Sequence, residues 1–307
     1  MKLFAITLSR GITLIFTLLS TSTEFVRFEE LGLSKTLLEI GWFQLRWYSL
    51  AYLAGILIGY WYLTRLIKQP GAPLAQRHAD DFILFATFGV IAGGRLGYAL
   101  FYKPDLFIRF DGEGLISYQL LRLHDGGMSL HGGVLGVMIA IWYMTRKENL
   151  SYLRFCDYIA CVIPFGLLFG RLANFINGEL WGRPTDVPWA IIFTDTDPAA
   201  LPRHPSQLYE AASEGLLMML ILYILFWHTR ARYKPGMLFG TAAVVYGISR
   251  FTIEFFRNPD SHLIEFAERT GLSMGQWLTV PMVLVGLYFV ITAASREKQP
   301  PIATQAA

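Results

Sequence analysis

Charge is scarce in this chain. Asp, Glu, Lys and Arg together make up 16% of its 307 residues, against roughly 25% in ordinary soluble domains. The shortfall, with 54% hydrophobic residues and a mean hydropathy of +0.42, implies a bilayer as solvent. Long basic runs are missing and the net charge is only +3, so the electrostatic footprint of a nucleic-acid binder is absent. Cysteine is nearly missing too. Cys156 and Cys161 lie in one apolar stretch, which supports neither a disulfide framework nor a CxxC metal site. They read as small buried hydrophobes. With no His/Cys ligand set, no metal or organic cofactor is implied.

What is present is a series of apolar segments near the roughly 20 residues a spanning helix requires. Seven occur: Trp47–Leu66, Phe82–Tyr102, Met128–Met144, Tyr158–Gly170, Ala211–Trp227, Met237–Phe256 and Met274–Ala294. The fold class expected is therefore an all-α polytopic membrane protein of about seven transmembrane helices with a small periplasmic cap. Lys and Arg in the connections set the orientation. With the N-terminus outside, the inner side holds Arg65, Lys68, Arg77, Arg146, Lys147, Arg154, Arg230, Arg232, Lys234, Arg296 and Lys298. These outnumber the acids there. The Arg230–Lys234 loop has no acid at all. A periplasmic N-terminus and a cytoplasmic C-terminus follow.

The organisation expected is an N-terminal extension and amphipathic arm over 1–46, a catalytic transmembrane domain over 47–294, and a disordered cytoplasmic tail over 295–307. Cap segments are expected at 103–125 and 171–205. Within the second, Trp189–Phe193 reads as a short strand between turn signals at Pro184/Pro188 and Asp195–Pro198. Met1–Ser20 has three readings: a signal-peptide-like start, an interfacial anchor, or an extension from a misplaced start codon. Glu24–Gln44 reads as an arm lying on the membrane.

A charged side chain inside a spanning helix costs several kcal/mol, so it usually has a partner or a task. Arg95 sits in Gly93-Gly-Arg-Leu-Gly-Tyr98. Arg250 and Glu254 are spaced to pair on one helix face, and Tyr246, Arg250, Glu254 and Arg257 form a polar stripe. His131 is followed by glycines that permit close backbone approach. The densest polar cluster is Gly170-Arg-Leu-Ala-Asn-Phe-Ile-Asn-Gly-Glu-Leu-Trp-Gly-Arg183. Arg171 offers a planar, permanently charged fork suited to phosphate, and Asn174 adds neutral donors nearby. Arg203-His-Pro-Ser-Gln-Leu-Tyr-Glu210 reads as a structured helix start.

These motifs, with Trp47-Tyr48 and Tyr246–Asp260, occur in an order that closely resembles the prolipoprotein diacylglyceryl transferase family. The resemblance runs from about Trp42 to about Val290 and is most specific over Arg171–Gly182. It implies transfer of a diacylglyceryl group from phosphatidylglycerol to the lipobox cysteine thiol of a preprolipoprotein signal peptide. Glycerol-1-phosphate leaves and a thioether remains, at the bacterial inner membrane. It also implies that Tyr48, His131, Arg171, Asn174, Glu179, Gly182, Tyr246, Arg250, Glu254 and Arg257 are tied to activity or lipid binding. Ala173 departs from the family block, which often has Gly there. Among these residues, His131, Arg171, Tyr246 and Arg250 are the catalytic candidates, and Tyr48, Asn174, Glu179, Gly182, Glu254 and Arg257 the substrate-binding ones.

In physical terms the reaction needs a thiolate and a stabilised phosphate leaving group. Arg171 and Arg250 are candidates for the phosphate. His131 is a candidate base, since imidazole titrates near working pH; it could equally orient the headgroup, with the thiol ionising beside the arginines. Asn174, Tyr48 and Tyr246 would position oxygens, and Glu179 and Glu254 would orient the arginines. A transporter is the competing class, but it should show paired halves with broken helices, and 47–145 and 207–294 show no convincing repeat. A structural role, with buried charges as helix glue, is the third class.

Overall fold

Every one of the seven apolar segments coincides with helix in a computed structural model, which describes residues 25–41, 43–101, 103, 127–258 and 269–296. The helices are α1 (Trp47–Ile67), α2 (Gln76–Phe101), α3 (Leu130–Lys147), α4 (Tyr152–Ala160), α5 (Ile163–Ile176), α6 (Ser206–His228), α7 (Met237–Ile253) and α8 (Met274–Thr292). The fourth segment is longer than expected. It begins at Tyr152, breaks at Cys161–Val162, and resumes with Pro164 in the first turn of α5, where a missing N–H costs nothing. Among the described residues, five spans are long and apolar enough to cross a membrane: Trp47–Ile67, Gln76–Leu100, Tyr152–Ile176, Ser206–His228 and Met274–Thr292. α7 is a shorter apolar helix. The chain is thus a mostly helical, multi-pass membrane protein.

Among the described residues, five short strands accompany the helices: β1 (Val26–Arg27), β2 (Thr36–Ile40), β3 (Phe43–Arg46), β4 (Ile191–Ile192) and β5 (Pro202–Arg203). The strand expected over Trp189–Phe193 is confined to β4, because turns close in on both sides. The expected cap segment 103–125 lies outside the described residues apart from Lys103, as do Met1–Ser20 and the tail from Glu297 onward.

The chain divides into two compact units. The first comprises Met1–Gly59, Val162–His228 and Gly240–Phe289. In it, β4 pairs parallel to β1 and antiparallel to β5. Phe28, Ile191 and Phe193 form a small core with Leu31, Phe175 and Trp181 packed on it. Phe28 meets Phe193 at 5.3 Å and Phe175 edge-on at 5.7 Å, a geometry that adds favourable quadrupole contact to area burial. β2 and β3 form an antiparallel hairpin. α6 is irregular: Ser206–Glu210 is α-helical, Ala211–Leu217 is π-helical, and Met218–His228 is α-helical again.

The second unit comprises Tyr60–Cys161, Thr229–Phe239 and Val290–Ala307. Its organising contact is a glycine seam between α2 and α3. A Cβ at Gly136 would land on the Gly89 carbonyl, and one at Gly132 on that of Gly93. With no side chains, the two backbones touch, which supplies dispersion contact where lipid offers no hydrophobic driving force. Arg95 spends its charge locally: it is buried, donates to the Gly127 carbonyl at 3.1 Å, and lies over the Tyr98 ring. The Asp157 carboxylate accepts the N–H groups of Gly236 and Phe239, both at 2.8 Å, capping the start of α7. Cys156 and Cys161 are buried free thiols.

Candidate active site

The end of α5 positions the densest motif. Asn177 closes the helix with its N–H on the Ala173 carbonyl. Gly178 then takes a left-handed conformation (φ 66°) that reverses the chain, a common glycine-dependent helix stop. Arg171 and Asn174 lie on α5, and Asn177 is its C-terminal cap.

The turn that follows is clasped by the segment leading into α6. Gln207 donates to the Glu179 carbonyl at 2.6 Å, Ser206 to the Leu180 carbonyl at 3.1 Å, and the Gly182 N–H to the His204 carbonyl at 2.9 Å. So His204-Pro-Ser-Gln207 is more than a helix start. Gly182 also faces Arg257 in an isolated bridge, and the Arg183 N–H reaches the Phe256 carbonyl at 2.8 Å. A Cβ at Gly182 would collide with the Phe256 and His204 carbonyl oxygens. The turn is therefore tied to the chain just past the end of α7. Behind it, Arg203 is held by both Asp197 oxygens (2.6 and 3.0 Å), stacks 3.8 Å from the Trp181 ring centre, and donates to the Gly182 carbonyl. The Arg203 guanidinium, with the Leu201 and Ala199 N–H groups, holds the Asp197 carboxyl below its ordinary range.

Above this frame is an ion network centred on Glu210. This carboxylate is 1% exposed. Its Oε2 lies 2.7 Å from Arg171 Nε, and its Oε1 lies 3.3 Å from both Arg250 and Arg257. The shortest approach is an ion pair and not a well-aligned hydrogen bond, since Arg171 Nε has no directed acceptor. Arg250 pairs with Glu254 at 3.0 Å, the spacing expected within one helix face. Gly275 on α8 leaves room for that carboxylate, only 3.1 Å from where its Cβ would sit. Arg171 also approaches Glu214 at 3.4 Å. A buried cluster of this kind is costly to break by single deletions, because each leaves an uncompensated charge.

The structure thus brings together Arg171, Arg250, Glu254 and Arg257. Asn174 sits one turn along α5 from Arg171 and is nearly buried. Tyr246, on α7, is within electrostatic reach of Arg171, Arg250, Glu210 and Glu214. Tyr48, whose hydroxyl is 3.0 Å from that of Tyr52, is within reach of Arg171 and Glu179. Among the described residues no arginine pairs with Glu179, whose carboxylate accepts from Asn177 at 3.3 Å. Among the described residues, the carboxylates that approach these arginines are Glu210, Glu214 and Glu254. His131 belongs to the second unit, as the second residue of α3, and its side chain lies outside the described residues.

Sequence reasoning passed over Glu210 as part of a helix start and did not single out Glu214. A signal existed: Glu214 lies inside the apolar run Ala211–Trp227, where the argument applied to Arg95 holds equally.

Beside the network an open apolar groove of about 460 Å³ is lined by Val187, Trp189, His204, Tyr209, Ile253 and Phe256, among others. Its polar atoms are turned on one another: Trp189 donates to the Tyr209 hydroxyl at 2.7 Å, which lies 3.1 Å from His204 Nδ1. Burial lowers the His204 pKa and favours neutral imidazole. Among the described residues, no three His, Cys, Asp or Glu side chains are grouped to hold a metal ion.

Residues 35–292 match the family model of prolipoprotein diacylglyceryl transferase. The chain is 53% identical over 272 residues to a phosphatidylglycerol–prolipoprotein diacylglyceryl transferase of Erythrobacter litoralis, covering 89% of this chain and 93% of that protein. It is 45% identical over 291 residues to the protein of that name from Zymomonas mobilis, covering 92% and 98%. It is 45% identical over 272 residues to that of Rhodospirillum rubrum, covering 88% and 94%. This chain, with its arginine–glutamate network and clasped Arg171–Gly182 segment, belongs to the prolipoprotein diacylglyceryl transferase family.

Proposed function

We propose that this chain transfers the diacylglyceryl group of phosphatidylglycerol to the lipobox cysteine thiol of a preprolipoprotein, the first step of bacterial lipoprotein maturation. The observation that carries the reading is the convergence of Arg171, Arg250 and Arg257 on one buried carboxylate, Glu210. A guanidinium cluster held rigid at the end of apolar helices suits a lipid phosphate, because fixed donors in a water-poor site need no reorganisation as charge develops.

In the reaction a sulfur–carbon bond forms as the carbon–oxygen bond to phosphate breaks. The electron pair moves to the phosphate oxygen, and glycerol-1-phosphate departs. Arg171 and Arg250 stabilise that oxygen's growing charge; Arg257 steadies the network. Asn174, Tyr48 and Tyr246 position the glycerol and phosphate oxygens. His131 takes the thiol proton, its ordinary pKa placing it near working pH. Gly182 keeps the turn closed against the chain at Arg257, and Glu179 fixes the turn through Asn177.

The chain crosses the inner membrane seven times in this reading, with its N-terminus periplasmic and its C-terminus cytoplasmic. The Arg230, Arg232 and Lys234 loop supports that orientation, and the Val26–Arg203 sheet then forms part of a periplasmic cap.

The test is purified protein with phosphatidylglycerol and a lipobox peptide, read by mass spectrometry of the thiol. Arg171→Ala and Arg250→Ala should each lower turnover about 100- to 1,000-fold, or about 2.7–4 kcal/mol. Near-normal turnover in both variants removes the arginine roles. A pH–rate profile unaltered by His131→Asn removes the base assignment alone.

A further inference from the structure

With every carboxyl of the network ionised, its charges would not favour an anion. Arg171, Arg250 and Arg257 face Glu210, Glu214 and Glu254. With all six ionised the sum is zero, and a phosphodiester would bring the cluster to a net negative charge in a poorly solvated place. One carboxyl therefore differs from the others, and the geometry distinguishes it.

Glu210 is compensated by three guanidiniums and Glu254 by Arg250 at 3.0 Å. Among the described residues Glu214 has only the 3.4 Å approach of Arg171 to one oxygen. The Glu210 and Glu254 oxygens that lack a directed hydrogen bond each face an arginine, at 2.7 and 3.0 Å, whereas the second Glu214 oxygen has neither a hydrogen bond nor an ion pair among the described residues, and the residue is 0% exposed. An ionised carboxylate so placed has no solvent and only one long charge-assisted contact to offset its desolvation. The groups that face it are Arg171 from α5, Arg250 and Tyr246 from α7, and Glu210 from its own helix.

The backbone there is also unusual. Glu214 is the central residue of the π-helical segment Ala211–Leu217, a geometry rare in helices and frequent at functional sites. The neighbouring Gly215 lets this segment lie on α5: a Cβ there would stand 2.9 Å from that of Leu168. The irregular turn thus seats Glu214 directly beside Arg171.

We propose that Glu214 is a charge-setting residue, holding a proton while lipid is bound so that the arginine network carries one net positive charge for the anionic headgroup. It touches no reacting atom and acts through Arg171. The inference rests on the transferase reading above, and its tests separate the two.

Glu214→Gln keeps the size and fixes the neutral state. The parent's KM for phosphatidylglycerol should rise as pH rises, and that rise should be lost in the variant. Infrared difference spectra of the folded protein should show a protonated-carboxyl carbonyl stretch that disappears in Glu214→Gln. Glu214→Asp, which retains a titratable group, should keep the pH dependence. A Glu214→Gln protein that unfolds normally yet keeps the parent's rise of KM with pH would overturn the proposal, as would a protein with no such carboxyl band. Absence of lipid transfer by the parent, with the band present, would instead overturn the transferase reading.

Discussion

Glu210→Gln is the most informative perturbation of the network. The carboxylate faces Arg171 at 2.7 Å and both Arg250 and Arg257 at 3.3 Å. The substitution keeps the side-chain volume but leaves the three guanidiniums close together with one neutral acceptor among them. Removing one partner from a buried ion cluster costs about 3–5 kcal/mol, and the deeply buried position of Glu210 leaves little water to soften that. Unfolding in mixed micelles, followed by tryptophan fluorescence, should show a loss of that order. Removing a cation as well should return part of it. In a double-mutant cycle, Glu210→Gln with Arg257→Gln should be less destabilised than the sum of the singles, with a coupling of about 0.5–3 kcal/mol. A Glu210→Gln protein within about 0.5 kcal/mol of the parent, the range of ordinary surface changes, refutes the hub. So does strict additivity with Arg257→Gln.

Three further outcomes follow from the frame around the network. Gly182→Ala pushes a methyl group into the Phe256 and His204 carbonyls and should cost about 1–3 kcal/mol as overpacking, read by thermal unfolding, with turnover falling as the turn opens. Asp197 has its pKa held down in the folded protein by Arg203. Its stabilising contribution is therefore complete above the unfolded pKa and is lost as pH falls through the folded one. Acid unfolding of Asp197→Asn should show a weaker dependence over that acid window, and an unchanged profile would exclude the pair as its cause. Gly136→Val should separate α2 from α3, because its side chain would occupy the Gly89 carbonyl's place; a crosslink between cysteines introduced across the seam should form more slowly than in the parent background.

How much was legible beforehand follows from which forces are local. The positions of the helices were readable because a run of apolar residues in lipid can satisfy its backbone only by forming helix. The glycines following His131 announced close backbone approach, and the seam between α2 and α3 uses them in that way; their partners Gly89 and Gly93 were not read so. The Arg250–Glu254 pair was readable because helical spacing fixes it. The Arg171–Gly182 block and its companion motifs were specific enough to place the family.

What the sequence could not determine is which charges meet across helices. It offered Glu179, with Glu254, to orient the arginines. The fold turns Glu179 toward Asn177 and brings in Glu210 and Glu214 from α6. Pairing of that kind depends on the rotation of whole helices about their axes and, here, on the π-helical turn at Ala211–Leu217. Neither is written in residue spacing, because both arise from packing Gly215 on Leu168 and from closing the His204–Gln207 clasp on the turn after α5.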